Sequence, residues 1–375
     1  MLSILSLVND HTFQVVLLGT LVLGITSGSL GCFAVLRKQS LLGDAISHAT
    51  LPGIAIAFMM TYSKNAWILL TGAALAGLLG TFLMMGITKF TKIKQDTALG
   101  IILSVFFGFG LVLLTIIQKI PTASQAGLDT FLFGNAATLL KEDIRVMIIL
   151  GIFTCSVMAI FWKEFKLISF DPDFAKSMGL PITKIEILLT TLIVLAIVIG
   201  LQTVGVVLMS AMIIAPAAAA RQWTDNLGLM VFLAAIFSAF SGMAGTVLSS
   251  SISHLPTGPV IVLIISSFVI ISLIAAPNRG LLWAYIQHHI HQREVRTKTM
   301  LSNLLLFSES QTNPFHPHDI AALTAIGKGT VSMMLKLKTD GLVNQYPDNK
   351  WSLSPKGLKI AQSFSKEGNI NHGSH

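Results

Sequence analysis

Long apolar runs, separated by short polar breaks, fill the first three-quarters of the chain. They lie near 13–36, 43–60, 66–88, 97–117, 144–162, 185–202, 204–220, 228–250 and 258–276. A helix rises 1.5 Å per residue, so about 20 apolar residues cross roughly 30 Å of hydrocarbon. The pattern therefore predicts about nine transmembrane helices. Thr203-Val204-Gly205 is a very short connection between two of them, and Pro216 is expected to kink or end the second. Gly24, Gly28, Gly31, Gly72, Gly77 and Gly80 lie inside spans, where the missing side chain lets helix backbones approach. In the loop 118–143, Leu128 to Leu140 reads as a short amphipathic helix at the membrane surface.

The apolar rhythm stops near residue 282. This predicts a transmembrane domain over 1–282 and a separate domain over 283–375, where ten Lys plus Arg stand against six Asp plus Glu. Asp319 to Ile326, the turn Gly327-Lys328-Gly329, and Thr330 to Asp340 read as helix, turn, helix, with Thr330 as N-cap and Gly341 as the stop. Leu342 to Tyr346 and Trp351 to Ser354 flank a turn at Pro347 to Lys350, and Lys356 to Ser365 predicts a closing helix. Helix-turn-helix followed by a hairpin is a winged-helix pattern. The tail Asn371 to His375 is expected to be disordered.

Composition agrees with a membrane protein: 53% hydrophobic and 11% charged residues are too little charge for a soluble surface. The first span is not a cleavable signal, because Arg37 and Lys38 follow it and more spans come after. Cys32 and Cys155 both fall in spans and read as small packing residues. Alternate loops carry eleven basic residues (Arg37, Lys38, Lys89, Lys92, Lys94, Lys163, Lys166, Lys176, Lys184, Arg221, Arg279) against four on the other side (Lys64, Lys119, Lys141, Arg145). The positive-inside rule then places the N-terminus outside and the C-terminus in the cytoplasm.

Against this apolar background Asp44 and His48 stand out. Their i,i+4 spacing puts a carboxylate and an imidazole on one helix face. Ionisable groups inside a bilayer are costly unless they face a cavity, a partner or an ion. Oxygen plus imidazole nitrogen suits divalent Mn, Fe or Zn. Two such ligands do not fill a metal shell, so a second copy of the chain, water or other side chains would complete it.

The residues Gly31 to Arg37 with Ser40-Leu41-Leu42-Gly43-Asp44-Ala45-Ile46-Ser47-His48-Ala49 resemble the signature of the ABC-3 family, the permeases of bacterial manganese, zinc and iron importers. Asp96 to Gly100, Phe131 to Gly134, Phe170 to Ala175 with Gly179, and Thr257-Gly258-Pro259 extend the resemblance over about residues 10–280. It implies an all-α, type II-importer-like permease in the bacterial plasma membrane, paired with a second copy or a paralogue. It also implies cytoplasmic ABC ATPase subunits, an extracytoplasmic metal-binding protein, and Asp44 and His48 in the path of a transported Mn, Zn or Fe ion. No permanently bound cofactor is implied. Asp171-Pro172 starts and Gly179-Leu180-Pro181 stops a short helix that resembles an ATPase-coupling helix, with Phe170, Asp171, Asp173, Ala175 and Gly179 as its marks.

Other readings are bounded by what the sequence lacks. Gly327-Lys328-Gly329-Thr330 does not have the spacing of a phosphate-binding loop, so ATP hydrolysis is expected on a separate chain. A membrane-embedded metalloenzyme would need a further protein ligand and an acid or base; no second Asp or Glu is expected inside a span. An ion-coupled secondary transporter is the other alternative. Lys336, Lys338 and Lys350 are candidate phosphate contacts if the winged-helix domain met DNA, although protein docking or regulation of transport is the preferred role. His288, His289, His291, His316 and His318 are candidates for intracellular metal sensing, and His254 for metal entry.

Overall fold

The computed structural model describes residues 11–63, 65–119, 141–201, 205–252, 255–277, 279–309, 315–319, 330–347 and 350–372. The chain divides into two compact units, Met1–Leu281 and Leu282–His375. The first contains α1 (His11–Leu36), α2 (Leu42–Thr61), α3 (Ala66–Phe90), α4 (Gln95–Gln118), α5 (Lys141–Ile160), α6 (Trp162–Phe170), α7 (Pro172–Ser177), α8 (Ile182–Leu201), α9 (Val206–Trp223), α10 (Leu227–Ser251) and α11 (Thr257–Ala275).

Among the described residues, eight helices are long and apolar enough to cross a membrane: α1 to α5, α8, α10 and α11. The predicted ninth span coincides with α9, which has 18 residues and packs with Met209, Met212 and Ile213 fully buried. Pro216 does not end it. The helix runs on to Trp223, packed against α1, α2, α10 and α11. The predicted surface helix 128–140 and the motif Phe131 to Gly134 lie outside the described residues.

Small residues set how closely these helices approach. A Cβ on Gly28 would stand 2.6 Å from the Ala234 carbonyl oxygen, and one on Gly24 would stand 2.8 Å from the Ala239 backbone. From the other side, a Cβ on Gly242 would lie 2.9 Å from the Thr20 oxygen. The Thr20 and Thr246 hydroxyls bond at 3.2 Å along the same α1–α10 seam. Gly72 meets α2 at Gly53, while Gly77 and Gly80 face Val194 and Ala49. Dispersion at these seams replaces the hydrophobic drive that lipid removes.

One helix was not legible as such. The run expected to continue a span through 162 breaks at Phe161, and α6 begins at Trp162. Phe165 and Ile168 are buried three residues apart, and Phe33 of α1 packs edge-on against both Phe165 (5.8 Å) and Trp162 (5.9 Å).

The second unit contains α12 (Leu281–Glu309), β1 (His318–Asp319), α13 (Thr330–Thr339), β2 (Val343–Tyr346), β3 (Lys350–Leu353) and α14 (Pro355–His372). The strands form an antiparallel sheet in the order β1-β3-β2. Leu301, Leu304 and Leu305, at helical spacing on α12, join Met334, Leu337, Val343, Trp351 and Leu353 in one apolar core. Gly341 (φ +73°) ends α13: its N–H bonds to Lys338 O and that of Leu342 to Leu337 O, the paired bonds of a Schellman stop. Asp319, expected to open a helix, instead pairs with Lys350 across the sheet. Lys350, expected in the turn, is the first residue of β3. Residues 320–329, which would hold the first helix and the turn, lie outside the described residues, as does His254. The closing helix reaches His372, past the expected end at Ser365.

Gly28→Leu forces a branched side chain into the Ala234 backbone and should cost about 1–3 kcal/mol by overpacking. Thermal unfolding in detergent should show a lowered midpoint, whereas Gly100→Ala, where nothing lies within 4 Å, should leave it unchanged.

Candidate metal site on the second helix

The turn that positions Asp44 begins at the end of α1. Lys38 takes a left-handed conformation (φ 58°), its N–H bonding to Val35 O at 3.1 Å and that of Gln39 to Ala34 O at 2.9 Å. These paired bonds stop α1 as a glycine would, at the steric cost of a Cβ. Arg37 forms an ion pair with Glu186 of α8, tying the turn to that helix. Burial pulls the Arg37 guanidinium down to about 10, which leaves it charged at neutral pH. Glu186 corrects one sequence expectation, because it is a second carboxylate within a candidate span, Ile182–Leu201.

Helix α2 then starts at Leu42 and carries Asp44 in its first turn. Unsatisfied N–H groups and the positive end of the helix dipole favour a carboxylate there. His48 follows one turn later. Its Nε2 lies 3.3 Å from Asp44 Oδ1, with the His48 side chain 12% exposed and that of Asp44 37%. A charge-assisted bond is typically 2.7–2.9 Å, so neither group is well satisfied by the other. Phe107 of α4 holds the imidazole edge-on at 4.5 Å between ring centres. His48 Nδ1 and the neighbouring Ser47 hydroxyl are buried and, among the described residues, have no hydrogen-bond partner.

The rest of α2 is gripped on three sides. Gly43 lies against Ser210 and Ile214 of α9, Gly53 against Gly72 of α3, and Leu51 and Pro52 against Gly110 of α4. A rigid helix thus presents one oxygen and one nitrogen donor at adjacent turns. Among the described residues, no group of three or more His, Cys, Asp or Glu converges to hold a metal.

The other predicted positions fall as follows. Asp171 caps α7, its Oδ1 accepting from Phe174 N at 2.9 Å, with Pro172 at the first helical position. Gly179 (φ +77°) ends it, through Gly179 N–H to Lys176 O and Leu180 N–H to Ala175 O. Ala175 faces inward and is fully buried, whereas Phe170, Phe174 and Met178 are each at least half exposed. Phe174 and Met178 are exposed apolar residues that the sequence reading did not count among the marks of this helix. They do not share one helix: Phe170 ends α6, Phe174 is on α7, and Met178 follows α7.

In the second unit, Lys336 and Lys338 occupy the last turn of α13, where cations offset the helix dipole, and Lys338 Nζ donates to Gln345 Oε1 at 2.8 Å. His288 is 2.7 Å from the Gln292 amide nitrogen, one turn along α12. The His316 and His318 rings lie 5.4 Å apart, and burial first, then the charge of His316, pulls His318 below the usual imidazole range. The side chains of His289 and His291 are outside the described residues.

Comparison with known proteins decides the family. The model of the ABC 3 transport family matches residues 9–276. The chain belongs to that family. It is 50% identical over 281 residues to the zinc transport system membrane protein TroC of Treponema pallidum, covering 75% of this chain and 94% of that protein. It is 42% identical over 351 residues to the manganese transport system membrane protein MntC of Bacillus subtilis, covering 92% of this chain and 80% of that one. That second match is too long to stop at residue 276. The solved structure of PsaBC from Streptococcus pneumoniae in complex with a Fab superposes with a TM-score of 0.66 at 35% identity, covering 74% of this chain and 98% of that chain.

Asp171→Ala should remove the cap of α7 at a cost of about 1 kcal/mol, while Asp171→Asn keeps an acceptor. Amide exchange over residues 172–177 should quicken in the first variant and hold near wild type in the second.

Proposed function

We propose that this chain is the membrane permease subunit of an ATP-binding-cassette importer, moving a divalent cation of the manganese and zinc class across the plasma membrane. The observation that carries this reading is the Asp44–His48 pair. It lies in an apolar helix of an ABC 3 family member, at 3.3 Å, with the imidazole Nδ1 buried and, among the described residues, unpartnered. The cation is cargo. It would take an oxygen from Asp44 and a nitrogen from neutral His48, replacing the weak contact between them. Two ligands per protomer leave the shell open, and a second copy or a paralogue meeting the first near a symmetry axis would supply the rest. Relatives named as zinc and manganese transport proteins support this class without choosing the metal. Iron shares the same ligand chemistry.

The chain is a transport permease and not an enzyme; ATP hydrolysis belongs to separate ATPase subunits, with an extracytoplasmic metal-binding protein delivering the ion. Three exposed apolar residues, Phe170 at the end of α6, Phe174 on the capped helix α7 and Met178 just after it, support that segment as the ATPase contact. Eleven basic residues on one set of loops against four on the other support an outside N-terminus and a cytoplasmic C-terminus. The second unit, over about 283–375, is read as a cytoplasmic winged-helix domain that regulates transport or docks protein. The last-turn position of Lys336 and Lys338 favours helix capping over DNA readout.

Accumulation of radioactive manganese and zinc in cells lacking their own importers tests the proposal. With all subunits expressed, wild type should accumulate one or both metals. Asp44→Ala and His48→Ala should each lower uptake about 10-fold or more, the loss of roughly 1.4 kcal/mol or more of ion stabilisation. Wild-type uptake rates in both variants, at equal expression, would overturn the assignment of the pair.

A further inference from the structure

A second polar site lies apart from Asp44 and His48, at the ends of α1, α3 and α8. It is a cavity of about 470 Å³ lined by Arg37, Gln39, Thr88, Lys89, Gln95 and Glu186, with Phe82 and Met85 on its apolar flank. Arg37 has five N–H donors, and its side chain is 11% exposed. Glu186 engages Nη2; among the described residues, no other group accepts from the guanidinium. Gln39 is 3% exposed, and no described hydrogen bond engages its amide side chain. The Gln95 amide meets only a thioether, Met84 Sδ at 3.9 Å. These donors open into the cavity, where a ligand that accepts hydrogen bonds can engage them.

Charge decides between a cation and an anion. Arg37 and Lys89 outnumber Glu186 within the lining, and Lys92 and Lys94 follow on the adjoining loop. That excess repels a metal ion and attracts an oxyanion. The place decides the source: Lys89 and Phe90 end a candidate span, which sets the cavity at the depth of lipid headgroups. Phe82, half exposed, and Met85 lead from the polar end along the helix toward hydrocarbon.

We infer that this cavity binds the phosphodiester headgroup of an anionic phospholipid, with the acyl chains running past Phe82. The phosphate oxygens accept from Arg37, Gln39 and Lys89, and Glu186 holds the guanidinium in place. The inference needs only that these helices span the membrane, and it is independent of which metal is carried.

Native mass spectrometry of the purified full-length protein in detergent tests this, with phosphatidylglycerol, phosphatidylcholine or inorganic phosphate added in turn. Wild type should retain phosphatidylglycerol at least about fivefold better than phosphatidylcholine, in line with the effect of one basic residue near a charged membrane surface. Lys89→Gln should remove most of that preference. Lys163→Gln, an exposed lysine on α6 outside the cavity, should leave it intact. Equal retention of the two lipids would overturn the inference. So would an equal loss in both variants, which marks diffuse surface attraction, or displacement of the lipid by millimolar phosphate, which marks a site for the free ion. Arg37→Lys keeps the charge but not the fork, and should weaken retention while the protein remains folded by gel filtration.

Discussion

An acidic side chain in the first turn of an otherwise apolar helix is the constraint around which the membrane unit is arranged. Asp44 is tolerable there because α2 begins two residues earlier and directs its free N–H groups and positive dipole toward that turn. For the helix to begin at that point, α1 must stop abruptly. The left-handed Lys38 provides the stop, and the Arg37–Glu186 pair fixes the turn to α8. The imidazole one turn on has only a 3.3 Å contact with the acid and an aromatic edge beside it. These polar groups are held incompletely, in a helix otherwise packed at Gly43, Gly53 and Leu51, and the proposed function puts an ion in that gap.

Packing and chemistry are linked through the small residues. Where Gly24, Gly28 and Gly242 bring α1 and α10 into backbone contact, the first helix becomes a fixed wall for the α1–α2 turn. The same turn touches α8, which follows α7 after four residues. A displacement of α7 therefore has a short covalent route to Glu186, and through the ion pair to the start of α2. Under the proposed function, this is the route by which ATP binding in the ATPase, acting on α7, would bias the rearrangement that alternating access needs.

Much of this was legible in the sequence because its physics is local. Span length and hydropathy located the long helices, the i,i+4 spacing joined Asp44 to His48, and Asp171-Pro172 with Gly179 marked both ends of α7. What could not be read depended on distant partners. The Arg37–Glu186 pair joins residues 149 positions apart, which no local pattern marks. Helix α6 was hidden because Lys163, Glu164 and Lys166 interrupt the apolar run, while Phe165 and Ile168 gain their burial from Phe33 far away in sequence. Of the two effects expected of Pro216, a kink or an end, the structure rules out the end, because the helix continues to Trp223. Asp319 joined a strand because its pairing partner, Lys350, lies thirty-one residues on.

The central claim is that a divalent cation binds between the Asp44 carboxylate and the His48 imidazole. Anomalous diffraction from crystals of the importer loaded with manganese or zinc, recorded at the absorption edge of that metal, addresses it directly. The account predicts a peak about 2.0–2.2 Å from an Asp44 oxygen and a His48 ring nitrogen, shared with the facing permease. A peak elsewhere in the membrane, with these two side chains still turned toward one another, would contradict it.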